Sequence, residues 1–334
     1  MASSCTTAPV RLPESPIGPK PGLKPRVAGL VVAEPMALPR YGTLNHYRIQ
    51  CDWGQIEISP NRYDWRPLDR WLDLYPTAFA KFGISAGGDA PDWLKAATGS
   101  IAVKNLRSGV TATCARWWTS QAIERWASFQ SALAGRYDSD QRVLQVSSAE
   151  AATIFMEPFI IGGDASSGRA LYKAGCNEST QGAAIVRSTQ DMLEAWKTTR
   201  VELALHSQWQ IPTATGLTSS WPKERDLLNQ LSATYGDQLM LSDYGLGPGE
   251  AVTNTGAQTL ANSTDEYSWM VLRREQGPIG FQLTLGSHRS QSALEETIRG
   301  AISMGACYVE HASYGPDSAS VRTLDDALRS NARR

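Results

Sequence analysis

The sequence predicts an α/β fold, a (β/α)8 TIM barrel, in one domain that follows a short tail. Short apolar, β-branched runs alternate along the chain with amphipathic helical patterns, which is typical of parallel βαβ units. About eight such units fit into the ~300 residues after residue 26, and this is the size of a (β/α)8 barrel. A doubly wound open sheet is the alternative, but no glycine-rich dinucleotide turn follows the first predicted strand.

Compact apolar runs that end in polar or glycine-rich residues predict the barrel strands. These strands are 26–33, 46–53, 78–87, 143–146, 211–217, 239–242, 279–285 and 307–310. Apolar residues at helical spacing predict the helices between them. These helices are 67–74, 119–136, 189–206, 224–235, 264–274 and 292–304.

Residues 1–26 are predicted to be a Pro-rich tail, and residues 27–334 a single barrel domain. Six prolines lie between Met1 and Pro25, and this segment has no apolar core of a signal peptide. No apolar run approaches the ~18 residues that a membrane span requires. The sequence therefore predicts a soluble protein of undetermined compartment, with secretion through a leader not visible here left open.

The composition favours a carbohydrate ligand over nucleic acid. The net charge is −1 and the sequence has no basic stripe, so no nucleic-acid partner is expected. Eleven tryptophans stand against six phenylalanines. Tryptophan offers a broad flat face with one N–H donor, which suits stacking on sugars as well as core packing. The oligomeric state has no sequence marker.

No metal or cofactor chemistry is indicated. The five cysteines, at positions 5, 51, 114, 176 and 307, fit neither a zinc knuckle nor a dense disulfide framework, although a Cys114–Cys176 bridge could form in a secreted protein. Four scattered histidines give no zinc-protease spacing, and neither a nucleophile elbow nor a phosphate-binding loop is present.

In a barrel of parallel strands, functional groups lie just past the C-terminal ends of the strands. Polar and aromatic side chains near the predicted strand ends are therefore the candidates for a site. They are Asp52, Trp53, Glu57, Asp89, Asp92, Trp93, Glu150, Glu157, Asp243, Glu250, Gln282, His288, Glu310 and His311.

Several motifs in the first half of the chain resemble those of glycoside hydrolase barrels. The segment Trp53–Trp65, WGQIEISPNRYDW, resembles the W-x-x-x-E-P-x-x-G-x-Y-D-W segment that follows an early strand in many of them. Ile84–Leu94 is similar to their G-x-x-x-P-x-W-L loop, and Trp117–Val146 to their run into strand four. Glu157-Pro158 resembles the Glu-Pro pair near their acid/base. The resemblance covers about residues 45–160 and identifies a divergent clan-A-type (β/α)8 glycoside hydrolase.

This resemblance implies cleavage of a poly- or oligosaccharide by two carboxyl groups and no cofactor. One carboxyl protonates the leaving oxygen, and the other attacks the anomeric carbon or activates water. Glu157 is the first choice for the acid/base because of its Glu-Pro context after strand four. Glu150 lies closer to the predicted strand end and competes with it. Either could instead be a carboxylate at the N-terminus of a helix.

The second carboxylate is where the sequence departs from the family. The family places its nucleophile after strand seven, where this chain has Gln282, and an amide cannot serve that role. The nucleophile could have moved to Glu310 or to Asp243, a water could be held by another group, or the barrel could bind a glycan without cutting it. Glu310 is slightly favoured, with a salt bridge to a rim arginine as its alternative role. The alternative for Asp243 is to cap the turn before Gly245–Gly249.

Substrate-binding roles are expected for Trp53 and Trp93 as stacking surfaces, for Asp89 and Gln282 as hydrogen-bonding groups, and for His311. A core role is the stronger expectation for Trp53. Two other functions stay open: a catalytically silent glycan-binding or structural barrel, and a lyase or isomerase. The last would need a lysine or a metal cluster, which no motif locates.

Overall fold

Eight parallel strands close into a barrel, as the sequence predicts. The computed structural model of the chain describes residues 21–33, 44–106, 109–149, 157–160, 162–205, 209–252, 255–256, 258–284, 287, 290–311 and 319–333. The barrel strands are β1 (Gly29–Val32), β2 (His46–Asp52), β3 (Phe79–Ser85), β4 (Val143–Ser148), β5 (Arg200–Leu205), β6 (Leu239–Leu246), β7 (Ile279–Leu283) and β8 (Tyr308–His311). Each strand pairs with its neighbours in the chain, and β1 pairs with β8 to close the barrel.

Helices surround the barrel. They are α1 (Trp53–Ile56), α2 (Arg66–Leu74), α3 (Asp92–Thr98), α4 (Ser120–Tyr137), α5 (Ala165–Lys173), α6 (Glu178–Ala195), α7 (Trp221–Tyr235), α8 (Glu266–Arg273), α9 (Gln291–Met304) and α10 (Ala319–Ala332), with 3-10 turns at Gly87–Asp89 and Gly236–Gln238. Several begin at side-chain caps: Thr119, Asp164 and Asn177 each accept a backbone N–H from the first turn of the helix that follows.

The prediction for the fifth strand was wrong. The predicted helix 189–206 ends at Ala195, and Arg200–Leu205 is strand β5. The cause is a long-range contact: the Asp138 carboxylate accepts the backbone N–H groups of residues 197–199 and fixes the chain in a turn there. The apolar spacing of residues 192–205 by itself fits a continuous helix. The predicted strand 211–217 is instead part of a hairpin outside the barrel.

Within the described ranges, three antiparallel hairpins lie outside the barrel sheet. They are Glu57–Ser59 with Arg62–Tyr63, Ser100–Lys104 with Thr111–Ala115, and Gln210–Thr213 with Gly216–Ser219. The second and third hairpins both pack against α5. They follow strands β3 and β5, so they stand on the side of the barrel where functional sites occur in this fold.

Lys24 and Arg26, assigned to the tail, make contacts at the N-terminal end of the barrel. The Lys24 ammonium donates to the Val143 carbonyl and to the Thr199 hydroxyl, each at 2.8 Å. Arg26 forms an ion pair of 2.7 Å with Asp237. These residues are therefore part of the packed barrel, while residues 1–20 lie outside the described range.

The four described cysteines, at positions 51, 114, 176 and 307, are buried free thiols. The suggested Cys114–Cys176 bridge is therefore wrong. Both cysteines belong to the hydrophobic core between the barrel and the outer elements. Among the described helices, none combines the length and the apolar character that crossing a bilayer requires.

Candidate functional site

A buried group of charges fills the middle of the barrel. The Lys81 ammonium on β3 lies 2.8 Å from a carboxylate oxygen of Glu202 on β5 and 2.8 Å from one of Glu310 on β8. Because these three strands are not neighbours, the contacts can only cross the lumen. We call the six side chains that meet here the lumen network: Arg48, Lys81, Glu202, Tyr244, Tyr308 and Glu310.

Glu202 is surrounded by hydroxyl donors. The hydroxyls of Ser147 and Ser242 donate to its two oxygens at 2.5 Å, and that of Tyr244 donates at 3.0 Å. The Tyr308 hydroxyl donates to it as well. Burial alone would raise the pKa of Glu202, but Lys81 and the hydroxyl donors outweigh it and lower the pKa to about 2. Glu202 is therefore a fixed negative charge at neutral pH.

Lys81 is a fixed positive charge. Burial favours its neutral amine, but the negative charges of Glu202 and Glu310 are stronger and raise its pKa well above the usual value. A lysine that forms a Schiff base must release its proton near neutral pH. Lys81 is thus the lysine that the sequence motifs did not locate, but its surroundings disfavour a nucleophilic role.

Glu310 occupies the next-to-last position of β8. One of its oxygens lies 2.7 Å from the Arg48 guanidinium, and the other contacts Lys81. Arg48 also approaches the Gln282 amide oxygen at 3.5 Å, which is at the limit of a hydrogen bond. The salt bridge to an arginine, expected as the alternative role of Glu310, is therefore present, and it joins β8 to β2.

Polar side chains continue from the lumen network toward the C-terminal mouth of the barrel. Gln50 lies two residues after Arg48 on the same face of β2; it is exposed and donates to the Ser85 hydroxyl at 3.3 Å. Asp52 lies half-buried at the end of β2, and Asp89 is exposed in the 3-10 turn that follows β3. Burial raises the pKa of both carboxyls, and the charge of Asp52 raises that of Asp89 further.

Asp243 lies on the other face of β6 from the lumen network. Its neighbours Ser242 and Tyr244 contact Glu202, whereas Asp243 accepts the backbone N–H of Gly245 at 2.7 Å and the Tyr267 hydroxyl at 3.2 Å. The contact with Gly245 corresponds to the turn-capping alternative. Burial raises the pKa of Asp243 to about 7, although both hydrogen bonds oppose this rise.

The strand-four loop is only partly described. Glu150 lies in the segment 150–156, which is outside the described residues, as is His288 after β7. Glu157 is buried, with 7% of its surface exposed, where the chain is described again. Two residues later, the Phe159 ring packs on Trp209 at a centroid distance of 5.6 Å.

The Trp53–Trp65 motif is built around Glu57. The Trp53 indole N–H donates to the Glu57 carboxylate at 2.8 Å, and its ring packs on Phe129. The Trp93 indole N–H donates to the Glu57 carbonyl at 3.1 Å. Trp53 is 2% exposed, so it serves the core, whereas Trp93 is half-buried and keeps part of its surface available.

His311 is buried at the end of β8. Because side chains alternate along a strand, it lies on the face opposite to Glu310 and away from the lumen. Within the described residues, no group of three or more His, Cys, Asp or Glu side chains could hold a metal ion.

Of the lumen network, sequence reasoning named only Glu310. It missed Arg48, Tyr244 and Tyr308 and the two central residues, Glu202 and Lys81. Glu202 fell inside the wrongly predicted helix 189–206, and Lys81 lies within an otherwise apolar strand. In Arg200–Leu205, however, apolar Val, Leu and Leu alternate with Arg, Glu and Ala. This period of two indicates a strand with one polar face and could have located Glu202.

Comparison with known proteins supports the fold. No protein-family model matches the chain, and no curated protein sequence matches it. The catalytic domain of beta-amylase from Paenibacillus polymyxa superimposes with a TM-score of 0.56 at 12% identity, over 92% of this chain and 99% of that one. Endo-glycoceramidase II from Rhodococcus sp., in complex with a five-membered iminocyclitol, gives 0.50 at 16% identity, over 91% of this chain and 78% of that one.

The chain has the barrel fold of glycoside hydrolases. The predicted resemblance to such barrels is confirmed at the level of the eight-stranded fold. At these identities the likeness extends to the fold alone, because one barrel fold supports many chemistries. The activity has to be argued from the residues of the site.

Proposed function

We propose that this protein is a glycoside hydrolase that cleaves a poly- or oligosaccharide at the C-terminal mouth of the barrel. The observation that carries the proposal is the position of Glu310, whose carboxylate faces the lumen between Arg48 and Lys81 near the end of β8. The second carboxyl group of a glycosidase acts as an anion, either as nucleophile or as base. Two adjacent cations hold the Glu310 carboxylate in place.

Glu157 is the proposed acid/base. It follows β4 in the chain, and barrel enzymes draw their functional groups from the loops after the strands. Its Glu-Pro context supports the same role. Glu150 stays its competitor.

Asp243 is the alternative to Glu310 as the second carboxylate. Its pKa, which burial raises to about 7, disfavours the charged form that this role needs. Its place on the outer face of β6 also favours Glu310, which faces the lumen. Trp93, Asp89 and Gln282 are proposed to contact the sugar at the mouth.

One observation favours a second function, a catalytically silent barrel that binds a glycan. Both oxygens of Glu310 are already engaged by cations, and β7 carries Gln282 where a carboxylate nucleophile would be expected. A carboxylate held in this way would act as a structural anchor. Such a barrel would bind a sugar without hydrolysing it.

Two isosteric variants test the proposal. Turnover of a panel of α- and β-linked polysaccharides would be measured by the release of reducing ends for the parent, Glu157→Gln and Glu310→Gln. Each variant is expected to lose at least about 100-fold in kcat, because general acid–base catalysis alone contributes about 10²–10⁴-fold. Glu275→Gln, at a side chain that is 79% exposed, is the matched control and should keep parental turnover.

The outcomes separate the candidate functions. Turnover that survives both substitutions would reject the residue assignment. A parent that binds one glycan in calorimetry but releases no reducing ends from it would favour the silent barrel. Asp243→Asn, assayed alongside, would lose activity only if Asp243 takes the place of Glu310.

A further inference from the structure

A groove of about 900 Å³ lies on the outer side of the barrel, beyond the lumen network. Its walls come from the N-terminal parts of α6 and α7 and from the Gln210–Ser219 hairpin, and Tyr172 of α5 lies at its edge. This volume lies within the range of about 300–1,000 Å³ that ligand sites in proteins occupy. The groove shares no lining residue with the mouth described above.

The charges around the groove cancel. Glu178 at the start of α6 forms an ion pair with Lys223 at the start of α7, and each side chain stays about half exposed. Asp226, the other acidic residue of the lining, is paired with Arg225 at 3.2 Å. Because the charged side chains of the lining are already paired, the groove carries little net charge that could attract an ionic ligand. A neutral ligand fits this groove better.

The remaining lining combines apolar surface with neutral hydrogen-bonding groups. Trp209, Ile211 and Leu227 are buried and form the apolar floor of the groove, whereas the Tyr172 ring, which is 45% exposed, is the aromatic surface that a sugar can reach. Thr218 and Gln230 supply a hydroxyl and an amide, which both donate and accept hydrogen bonds. A sugar presents apolar C–H faces and neutral hydroxyls, so it is matched by this mixture.

The groove is also connected to the strand-four loop. Trp209 packs on Phe159, two residues after Glu157, and the Gln210 backbone N–H donates to the Ile160 carbonyl at 3.1 Å. Ligand contacts on the Trp209 side would therefore act on the segment that carries Glu157. We propose that the groove binds a neutral oligosaccharide at a site separate from the barrel mouth.

A larger side chain at Gly182, which lines the groove, would fill part of it. A Cβ added there would lie 3.7 Å from the Trp209 ring and 3.8 Å from Leu227, which are ordinary contacts, so Gly182→Met introduces a side chain without backbone strain. Gly135→Met is the matched control. Gly135 is also helical and has no heavy atom within 4 Å of such a Cβ, so both variants gain the same helix propensity.

Binding would be measured by NMR spectroscopy, from the indole N–H resonances of the full chain. Maltohexaose, cellohexaose or mannohexaose would be added at millimolar concentration. Trp209→Phe and Trp126→Phe assign the two signals of interest. One of the three sugars is expected to shift the Trp209 signal and not that of Trp126, which is fully buried against Trp53. Gly182→Met should weaken binding about tenfold or more, and Gly135→Met should bind as the parent does.

Tyr172→Ala, at an exposed position, gives a second test if Gly182→Met does not fold, and it should also weaken binding about tenfold. The proposal is overturned if none of the three sugars shifts the Trp209 signal, or if both Gly182→Met and Tyr172→Ala bind like the parent. A hexagalacturonate that binds better than every neutral sugar would overturn it as well. None of these results depends on turnover, so the hydrolase proposal can fail while this one stands.

Discussion

Glu310 and Lys81 form an ion pair of 2.8 Å across the lumen, and the same ammonium lies 2.8 Å from Glu202. With Arg48 on the far oxygen of Glu310, two cations face two carboxylates, and all four side chains are buried. Buried charges are tolerated when they are paired and hydrogen-bonded, and the lumen network meets both conditions. The packing of the barrel interior therefore depends on a balance of charge as well as on shape.

Replacing Lys81 should destabilise the folded protein, because it disturbs the balance of charge in the lumen network. Lys81→Met leaves two carboxylates facing each other without their shared cation, and removing one partner of a buried pair costs about 3–5 kcal/mol. The free energy of unfolding, measured with urea at pH 7, should fall by about that amount.

The double variant Lys81→Met/Glu202→Gln is the control for this prediction. It removes one charge of each sign and leaves Arg48 paired with Glu310, so it should recover much of the loss. If Lys81→Met alone costs less than about 1 kcal/mol, the lumen network contributes no more than a surface pair would.

Asp243 should make stability depend on pH. Its pKa in the folded protein is about 7, against the ordinary aspartate value of 3.8. Between these values the folded state holds a proton that the unfolded chain has released, so the free energy of unfolding falls as pH rises through this window. From pH 5 to pH 8 the loss assigned to this carboxyl is about 2–3 kcal/mol.

Asp243→Asn should remove this part of the pH dependence, as seen by comparing urea unfolding of parent and variant at pH 5 and pH 8. Asp92→Asn is a suitable control, because the Asp92 side chain is 99% exposed. Equal pH profiles for the parent and Asp243→Asn would show that the buried carboxyl titrates at its usual pKa.

Trp53 should act on stability and not on sugar binding. Trp53→Phe keeps an aromatic ring against Phe129 but removes the N–H donor to the buried Glu57 carboxylate. An unsatisfied buried acceptor costs about 1–3 kcal/mol, so thermal unfolding should occur at a lower temperature. The affinity of the variant for any glycan that the parent binds should stay at the parental value. A folded variant that loses this affinity would show that Trp53 contributes to glycan binding.

The buried thiols should resist modification in the native protein. Burial raises the pKa of Cys51 to about 11 and that of Cys114 to about 12, so neither forms an appreciable thiolate at neutral pH. In a Cys5→Ser background, a thiol reagent at pH 7.5 should label the native protein only slowly and all four remaining cysteines after unfolding. Rapid labelling of the native form would show that the core around these residues opens.

The fold could be predicted because its main determinant is local. Each barrel strand except β5 is a short apolar run followed by a helix with its own apolar face. These strand and helix patterns can be recognised in the sequence without knowing which residues contact each other in the fold. Strand β5 was missed since its boundary is set by the Asp138 carboxylate, about 60 positions earlier in the sequence. Local patterns do not report such a contact.

The site was predictable only in part for the same reason. Glu310 could be identified from its position at the end of an apolar strand, and both of its partners, Arg48 and Lys81, lie more than 200 positions away. Their pairing depends on barrel closure, which brings β8 beside β1 and opposite β3. A lysine within an apolar strand has no motif of its own, so only the three-dimensional arrangement identifies it.

Because Lys81 is shared by two carboxylates, fragments of this chain are expected to fold poorly on their own. The two carboxylates are encoded on β5 and β8, so a cleavage between β4 and β5 would leave the cation on one fragment and both anions on the other. Neither half could neutralise its interior by itself, and each would favour reassembly with its complement over independent folding.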